Sequence, residues 1–366
     1  MQTAILSPSP EHIAVAAEAL GRGQLVAMPT ETVYGLAGKG LDEGAVATLF
    51  AAKERPHFDP LILHLPAGIP LEKLGEWLVD VSEFTPTAQE RLGSLMNIFW
   101  PGPLTLVLPK RPAVPDLVSS GLPTVALRVP AHPVAQALLQ AVQTPLAAPS
   151  ANRFGRISPT SAQAVYAELA GRIPYILDGG ECAVGLESTV LKLSPDGIPT
   201  LLRPGGIPVE TLEAHLGLPI PPAHSATDNT LDHTLEAPGR LSSHYAPSKP
   251  LWLLPTCFSH LKPTDWQQLA RVTAGHSHLG VLSFAEDPQA LRHSLSEHCP
   301  GVTLTLEALD PDSDRAARAL FACLRRLDEG PATLLLAEPP PSATGLGYAI
   351  MDRLQRASSA WNLPPL

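Results

Sequence analysis

The sequence predicts an α/β protein of two domains, a larger mixed one followed by a smaller parallel one. Three observations carry this reading. The chain has 366 residues, too many for one comfortable core and about right for two. Helix-like and strand-like segments intermix without strict alternation up to about residue 217, then alternate regularly after about residue 249. Between them the run around Pro221, Pro222, His224, Ser225, Ala226 and Thr227 carries no apolar period and reads as a linker.

Taken in order, Ser9 can cap a first helix with Pro10 at its first position, and Gly21 can end it. Leu25 to Met28 reads as a buried strand closed by Pro29. Asp42 caps a second helix that presents Val46, Leu49 and Phe50 on one face and reaches Lys53. Leu61 to Leu65 is strand-like, and a helix starts near Thr85-Pro86. Strands follow at Leu104 to Leu108 and Val125 to Val129, a helix at Pro133 to Val142, a short strand at Leu146 to Ala148, and another helix after Pro159. Tyr175 to Leu177, Ser188 to Leu193 and Leu201-Leu202 complete the first domain as strands. In the second, Leu251 to Leu254, Gly280 to Phe284, Val302 to Leu306 and Thr333 to Leu336 alternate with helices. The clearest of these follows Asp312-Ser313-Asp314, and the pattern is that of a doubly wound parallel sheet. The predicted division is 1–217, a linker over 218–248, and 249–366.

Composition narrows the function classes. Charged residues make up only 16%, against a usual value of roughly 25%, with 41 prolines and 27 glycines filling the gap. The prolines are spread between strongly apolar segments, so they predict fixed turns rather than disorder. A formal net charge of -10 repels phosphate backbones and argues against stable direct nucleic-acid binding. The four cysteines form no C-x-x-C pair, which disfavours a disulfide framework or zinc site and suits a reducing interior. The N-terminal residues lack a basic, then apolar, leader, and no apolar run approaches the roughly 18 residues that span a bilayer. A soluble, cytoplasmic protein without membrane association is expected.

The chemistry-bearing residues gather at strand ends. Pro29-Thr30-Glu31-Thr32-Val33-Tyr34-Gly35-Leu36 follows a buried strand and offers either a polar turn or a set of ligand hydroxyls. Lys53-Glu54-Arg55-Pro56 closes a helix, where its cations could serve the helix dipole or an anion. His64 sits at an apolar strand end, as core histidines do. Arg128 lies inside an apolar strand, where an unpaired cation is costly; it requires a buried carboxylate or an anionic ligand. Pro149-Ser150-Ala151-Asn152 follows another strand, and Ser158-Pro159-Thr160 opens a helix whose free N–H groups suit a cap or an anion. Glu187-Ser188-Thr189 and Arg203 beside Gly205-Gly206 add hydroxyls and a further cation. No G-x-x-x-x-G-K-[ST] loop and no G-x-G-x-x-G fingerprint is present. His276-x-His278 lacks acidic or sulfur partners and reads as a solvated loop, and Cys182 reads as a plain small residue. Four cations among hydroxyls, without a nucleophile–base pair, form the inventory of a nucleotide site that works by positioning and charge.

These motifs, with Trp100-Pro101-Gly102-Pro103-Leu104-Thr105, closely resemble the YrdC-type family of threonylcarbamoyl-AMP synthases over about residues 10 to 215. Ala237-Pro238-Gly239-Arg240 with His244-Tyr245-Ala246-Pro247 is similar to the interdomain linker of the family's long form. Gly345-Leu346-Gly347 through Arg353-Leu354 is similar to the signature of its small C-terminal domain. The resemblance implies a YrdC-like twisted mixed α/β domain plus a Rossmann-like parallel α/β domain. It implies synthesis of threonylcarbamoyl-AMP and pyrophosphate from L-threonine, bicarbonate and ATP with Mg²⁺, the product passing to transferase proteins that modify tRNA. It implies that Lys53 and Arg55 act in catalysis. Thr32, His64, Arg128, Ala148 and Ser188 would hold threonine. Arg55, Asp59, Thr124, Ser150, Asn152, Ser158, Arg203 and Tyr245 would face ATP, the linker folding over the site. At the position of Asp59 the family more often carries an amide; a carboxylate near phosphates repels them unless it meets Mg²⁺ or ribose. Two alternatives are an RNA-binding module of the same fold and a carbamoyl-transfer enzyme of hydrogenase maturation. The acidic charge opposes the first, and the absence of the second's additional segments opposes the other.

Overall fold

The computed structural model describes residues 1–223, 244–284 and 287–359. They form two compact units: Met1–Phe154 with 158–223, and Gly155–Ile157 with 244–284 and 287–359. The expected Ala237-Pro238-Gly239-Arg240 linker motif lies outside the described residues. Among those described, no helix is long and apolar enough to cross a membrane.

The first unit runs β1 (Ala4–Leu6), α1 (Pro10–Gly21), β2 (Val26–Met28), β3 (Gly35–Lys39), α2 (Glu43–Lys53), β4 (Ile62–His64), α3 (Leu71–Trp77) and α4 (Pro86–Phe99). It continues through β5 (Leu104–Pro109), α5 (Asp116–Ser119), β6 (Thr124–Arg128), α6 (Pro133–Val142), β7 (Leu146–Ala147) and α7 (Ala162–Leu169). β8 (Tyr175–Leu177), β9 (Thr189–Leu193), β10 (Pro199–Arg203) and α8 (Val209–Leu216) complete it. Caps fix the helix starts as the sequence predicts. Asp42 accepts from the amides of Gly44 and Ala45 at 3.0 and 3.1 Å, and Thr85 accepts from that of Ala88 at 3.2 Å.

The strands form one mixed ten-stranded sheet in the order β1-β8-β2-β3-β7-β4-β6-β5-β9-β10. Two of its strands escape a reading of the sequence. β1 is three residues long and pairs with β8, some 170 positions away. β3 is glycine-rich and reads as loop, yet it lies antiparallel to both β2 and β7. Its glycines answer crowding: a Cβ at Gly35 would sit 3.2 Å from that of Ala148, and one at Gly38 3.0 Å from the Leu25 side chain.

The period of two along each strand separates the faces. Leu25, Ala27, Leu36, Leu63, Leu106, Leu108, Val125, Leu127 and Leu191 enter one large core. Val26, Met28, Ala37 and Leu146 point the other way, under α1 and α6. Toward the sheet centre this second face carries only a small apolar cluster of Ile62, Val107, Ala126, Val190 and Leu202. By the same alternation His64, Thr105, Thr124, Arg128 and Ser188 share that face.

After α8, residues 220–223 stay with the first unit: Leu201 donates to the Pro221 carbonyl and Ala223 to the Leu201 carbonyl, at 3.0 and 2.8 Å. The second unit comprises β11 (Leu251–Leu253), α9 (Pro263–Thr273), β12 (His278–Ser283), α10 (Pro288–His298), β13 (Thr303–Ala308), α11 (Ser313–Glu329), β14 (Leu334–Ala337) and α12 (Leu346–Ser359). Its four strands are all parallel, ordered β11-β14-β12-β13, as the regular alternation predicts. His278 corrects one expectation. It opens β12 rather than lying in a loop, and its ring meets the Thr305 hydroxyl at 2.7 Å while His276 meets that of Thr333 at 2.9 Å. Threonine hydroxyls are thus the partners of both rings.

Candidate active site

Arg128 closes β6, and its register partner on the parallel strand β4 is His64. The residue is 3% exposed. It donates to Glu31 at 2.6 Å, to the Thr32 hydroxyl at 2.8 Å and to the Gly102 carbonyl at 3.2 Å. Of the two outcomes its burial required, the carboxylate partner is present. It comes from within the Pro29–Leu36 motif itself. The second oxygen of Glu31 accepts from the Ala131 amide at 3.0 Å.

The local turn sets the hydroxyl directions. Thr30 Oγ1 donates to the Val33 carbonyl at 2.6 Å and accepts from the amides of Thr32 and Val33, both at 3.2 Å. Its proton is thereby used, so in the 2.8 Å pair with Thr32 the proton comes from Thr32. Thr32 then presents lone pairs to Arg128, which can only donate. Three of the five N–H donors of Arg128 are engaged in this way.

His64 donates from Nδ1 to the Ile62 carbonyl at 3.3 Å. Burial, and then the Arg128 cation, push its pKa down to about 3 against weaker opposition from backbone bonds at Ile62 and Leu146. The ring beside the arginine is therefore neutral. Ala148 completes this neighbourhood, its amide donating to the same Ile62 carbonyl at 3.1 Å.

The Gly102-Pro103 bend joins Arg128 to the start of β9: Gly102 accepts from Arg128, and Pro103 accepts from the Thr189 amide at 3.0 Å. There the Ser188 hydroxyl meets that of Thr105 at 2.7 Å and receives Arg203 at 3.2 Å, while Arg203 also donates to the Ser188 carbonyl at 2.9 Å. Gly205 is required beneath them, since a Cβ would run into the Glu187 and Ser188 backbone.

A second group surrounds the end of α2. Lys53 is fully buried and donates to the Ser150 and Asn152 carbonyls. Burial, with Arg55 nearby, lowers its pKa well below the usual lysine value. Arg55 donates to the Asp59 and Pro60 carbonyls at 3.2 and 2.9 Å and pairs with the Asp59 carboxylate at 2.9 Å. The aspartate thus meets a guanidinium four residues back, which gives the unexpected carboxylate a partner.

Ser158 requires a correction. The helix after it begins at Ala162, and its cap is Ser161, which accepts from the Ala164 amide at 3.2 Å. Pro159 fixes the approach, and Ser158 is released to donate to Glu187 at 2.6 Å. Thr124 opens β6 four residues before Arg128 and shares the face of the others. Tyr245, expected at the nucleotide, belongs to the second unit. There it lies against Phe321 with ring centroids 5.7 Å apart and under the Arg353 guanidinium at 5.0 Å.

Residues that the sequence left without a role are Glu31, Thr105 and Glu187. The cost of burying Arg128 signals that a carboxylate must exist, but only the fold selects Glu31 from 35 acidic residues. Cys182 is 2% exposed, and burial together with the Glu31 charge pushes its thiol up to about 12, consistent with a plain packing residue.

The mixed sheet, with buried Arg128 and the hydroxyls of Thr105, Thr124 and Ser188 on one face, has the make-up of an α/β domain suited to a small anionic ligand. Residues 18–205 match the family model described as "Telomere recombination" and residues 207–359 that described as "Threonylcarbamoyl-AMP synthase, C-terminal domain". The chain is 39% identical to the threonylcarbamoyl-AMP synthase of Pyrococcus abyssi over 348 residues, covering 94% of each. It is 40% identical to that of Bacillus subtilis over 360 residues, covering 96% of this chain and 94% of the other. The crystal structure of P. abyssi Sua5 complexed with L-threonine matches it with a TM-score of 0.81 and 36% identity over 100% of both chains. The chain belongs to the threonylcarbamoyl-AMP synthase family.

Proposed function

We infer that this chain makes threonylcarbamoyl-AMP and pyrophosphate from L-threonine, bicarbonate and ATP, the first step of threonylcarbamoyladenosine modification of tRNA. The observation that carries this reading is the polar face at the sheet centre. It sets Arg128, with donors left over, beside neutral His64 and next to the Ser188–Arg203 pair. Relatives that bear this enzyme's name and match over at least 94% of both chains support it.

Threonine's carboxylate suits the remaining Arg128 N–H groups and the hydroxyls of Thr32 and Ser188. The uncharged His64 ring leaves the amine without a second cation to repel it. The amine attacks the bicarbonate carbon, a C–N bond forms and water leaves. A carbamate oxygen then attacks the α-phosphorus of ATP, and the bond to the β-phosphate oxygen breaks with its electron pair on pyrophosphate. Arg55 and Arg203 are the cations suited to the charge that develops at phosphorus, with Lys53 as a further N–H donor, and their existing bonds hold them in place before the substrate arrives. Ser150, Asn152, Ser158 and Thr124 are proposed for the nucleotide. Mg²⁺ enters with ATP, whose phosphates supply its ligands. Asp59 already neutralises Arg55, so a metal at Asp59 would compete with that guanidinium. Closure of the linker with Tyr245, and transfer of the product to tRNA-modifying proteins, rest on the family resemblance.

The test is incubation with ATP, Mg²⁺, threonine and labelled bicarbonate, following pyrophosphate and a labelled adenylate. The adenylate should require both threonine and bicarbonate and disappear in Arg55→Ala. ATP binding without any adenylate would overturn the reading.

A further inference from the structure

The second unit contains a cleft that the synthase reaction does not use. The segments leaving the carboxyl ends of β11, β12 and β14 enclose a volume of about 680 Å³. After β13 the chain returns to place β14 between β11 and β12, which is a switch point of a parallel sheet, where such folds hold ligands.

Its chemistry is specific. Glu338, 2% exposed, sits at the end of β14 and ties the other strand ends together. One oxygen accepts from the Ser283 hydroxyl at 2.6 Å and from the Phe284 amide; the other accepts from the Phe258 amide at 2.9 Å. A carboxylate offers about four acceptor sites, so the second oxygen keeps one. Phe258 and Trp266 supply aromatic wall, with ring centroids 6.1 Å apart. Among the described residues, no lysine or arginine lines the cleft. The start of α10, where an anion would otherwise settle, is occupied by the Asp287 carboxylate, bonded to the Gln289 and Ala290 amides at 2.9 and 3.1 Å.

We propose that this cleft binds a phosphate-free nucleoside. A flat ring fits the aromatic wall, ring amines and ribose hydroxyls supply donors for the acceptor-rich lining, and a phosphate is disfavoured by the carboxylates of Asp287 and Glu338, with no lysine or arginine among the described lining residues to offset them.

Cys257 lines the cleft and is the one cysteine of the four that is not buried, so alkylation of the native protein reports on it. The four common nucleosides and their 5′-monophosphates are each tested on the full chain, with iodoacetamide labelling of Cys257 read by mass spectrometry. At least one nucleoside at about 1 mM should slow labelling about tenfold, with its monophosphate far weaker. Equilibrium dialysis of that nucleoside should show the binding lost in Ala290→Trp, which fills the cleft from an exposed position on α10 while synthase turnover persists. Asp287→Asn keeps the cap and should bring the monophosphate closer to the nucleoside. No protection by any nucleoside, equal protection by monophosphates, or binding that survives Ala290→Trp would each overturn the proposal.

Discussion

Each unit buries arginines, and the two settings differ. In the first, Arg128 is held by one carboxylate, one hydroxyl and one carbonyl, with donors to spare, on a face that also carries His64, Thr105 and Ser188. In the second, Arg353 is 0% exposed, bound to Asp352 at 2.5 Å and laid over the Tyr245 ring, while Arg356 takes the same aspartate at 2.8 Å. There the guanidinium is enclosed by an aromatic ring and by a carboxylate that it shares. Burial holds Asp352 back from ionising, yet the two arginines win and keep its pKa below the usual value. A buried arginine is thus a ligand-binding candidate when hydroxyls and spare donors surround it, and a structural pin when an aromatic ring covers it.

The largest expected effect would break this comparison if it failed. Arg128→Ala should lower threonine-dependent pyrophosphate release by about 100- to 1000-fold. It should also cost about 3–5 kcal/mol in urea unfolding, because Glu31 is left buried without its partner. Arg353→Ala should cost a similar 3–5 kcal/mol or so, but KM for threonine measured on the folded fraction should not move. A changed threonine KM with unaltered melting would reverse the assignment.

The acid limb of stability sharpens the account of His64. Its pKa is about 3 when folded and the ordinary value is 6.5, so the unfolded chain binds the extra proton between these limits. Stability contributed by the neutral ring is present above pH 6.5 and is lost as pH falls toward 3. The slope is at most about 1.4 kcal/mol per pH unit. His64→Gln should flatten that limb in denaturant titrations at successive pH values; an unchanged slope would mean that the ring does not titrate there.

The smallest effect separates two neighbouring serines. Ser161→Ala should cost about 1 kcal/mol of stability and leave KM for ATP unchanged, as loss of a helix cap does. Ser158→Ala should instead raise KM for ATP with little change in melting temperature. Identical phenotypes would return Ser158 to a capping role.

Local chemistry made much of this fold legible. Asp42, Thr85-Pro86 and Asp312 announce their helices because a cap is a contact between residues two or three apart. The strand order was not legible: β1 finds β8, and β3 finds β7, across separations that no local pattern encodes. The site divides in the same way. Its hydroxyls and cations stand in motifs, but the joining of Glu31 to Arg128 spans 97 positions and that of Ser158 to Glu187 spans 29. Asp59 finds its ionic partner within four residues, in the pair with Arg55, because the turn after α2 brings the chain back on itself.

The short stretch Gly155–Ile157 has a consequence for the genetics of the protein. These residues are encoded amid those of the first unit but built into the second: Gly155 accepts from the Ala246 amide at 2.7 Å, Arg156 pairs with Asp328 at 3.5 Å, and Ile157 accepts from Arg325 at 2.8 Å. A stop codon after residue 217 would keep the stretch and delete every one of those partners. The coding sequence is therefore not modular in the way that the folded protein is, and an early frameshift damages more than the unit it removes.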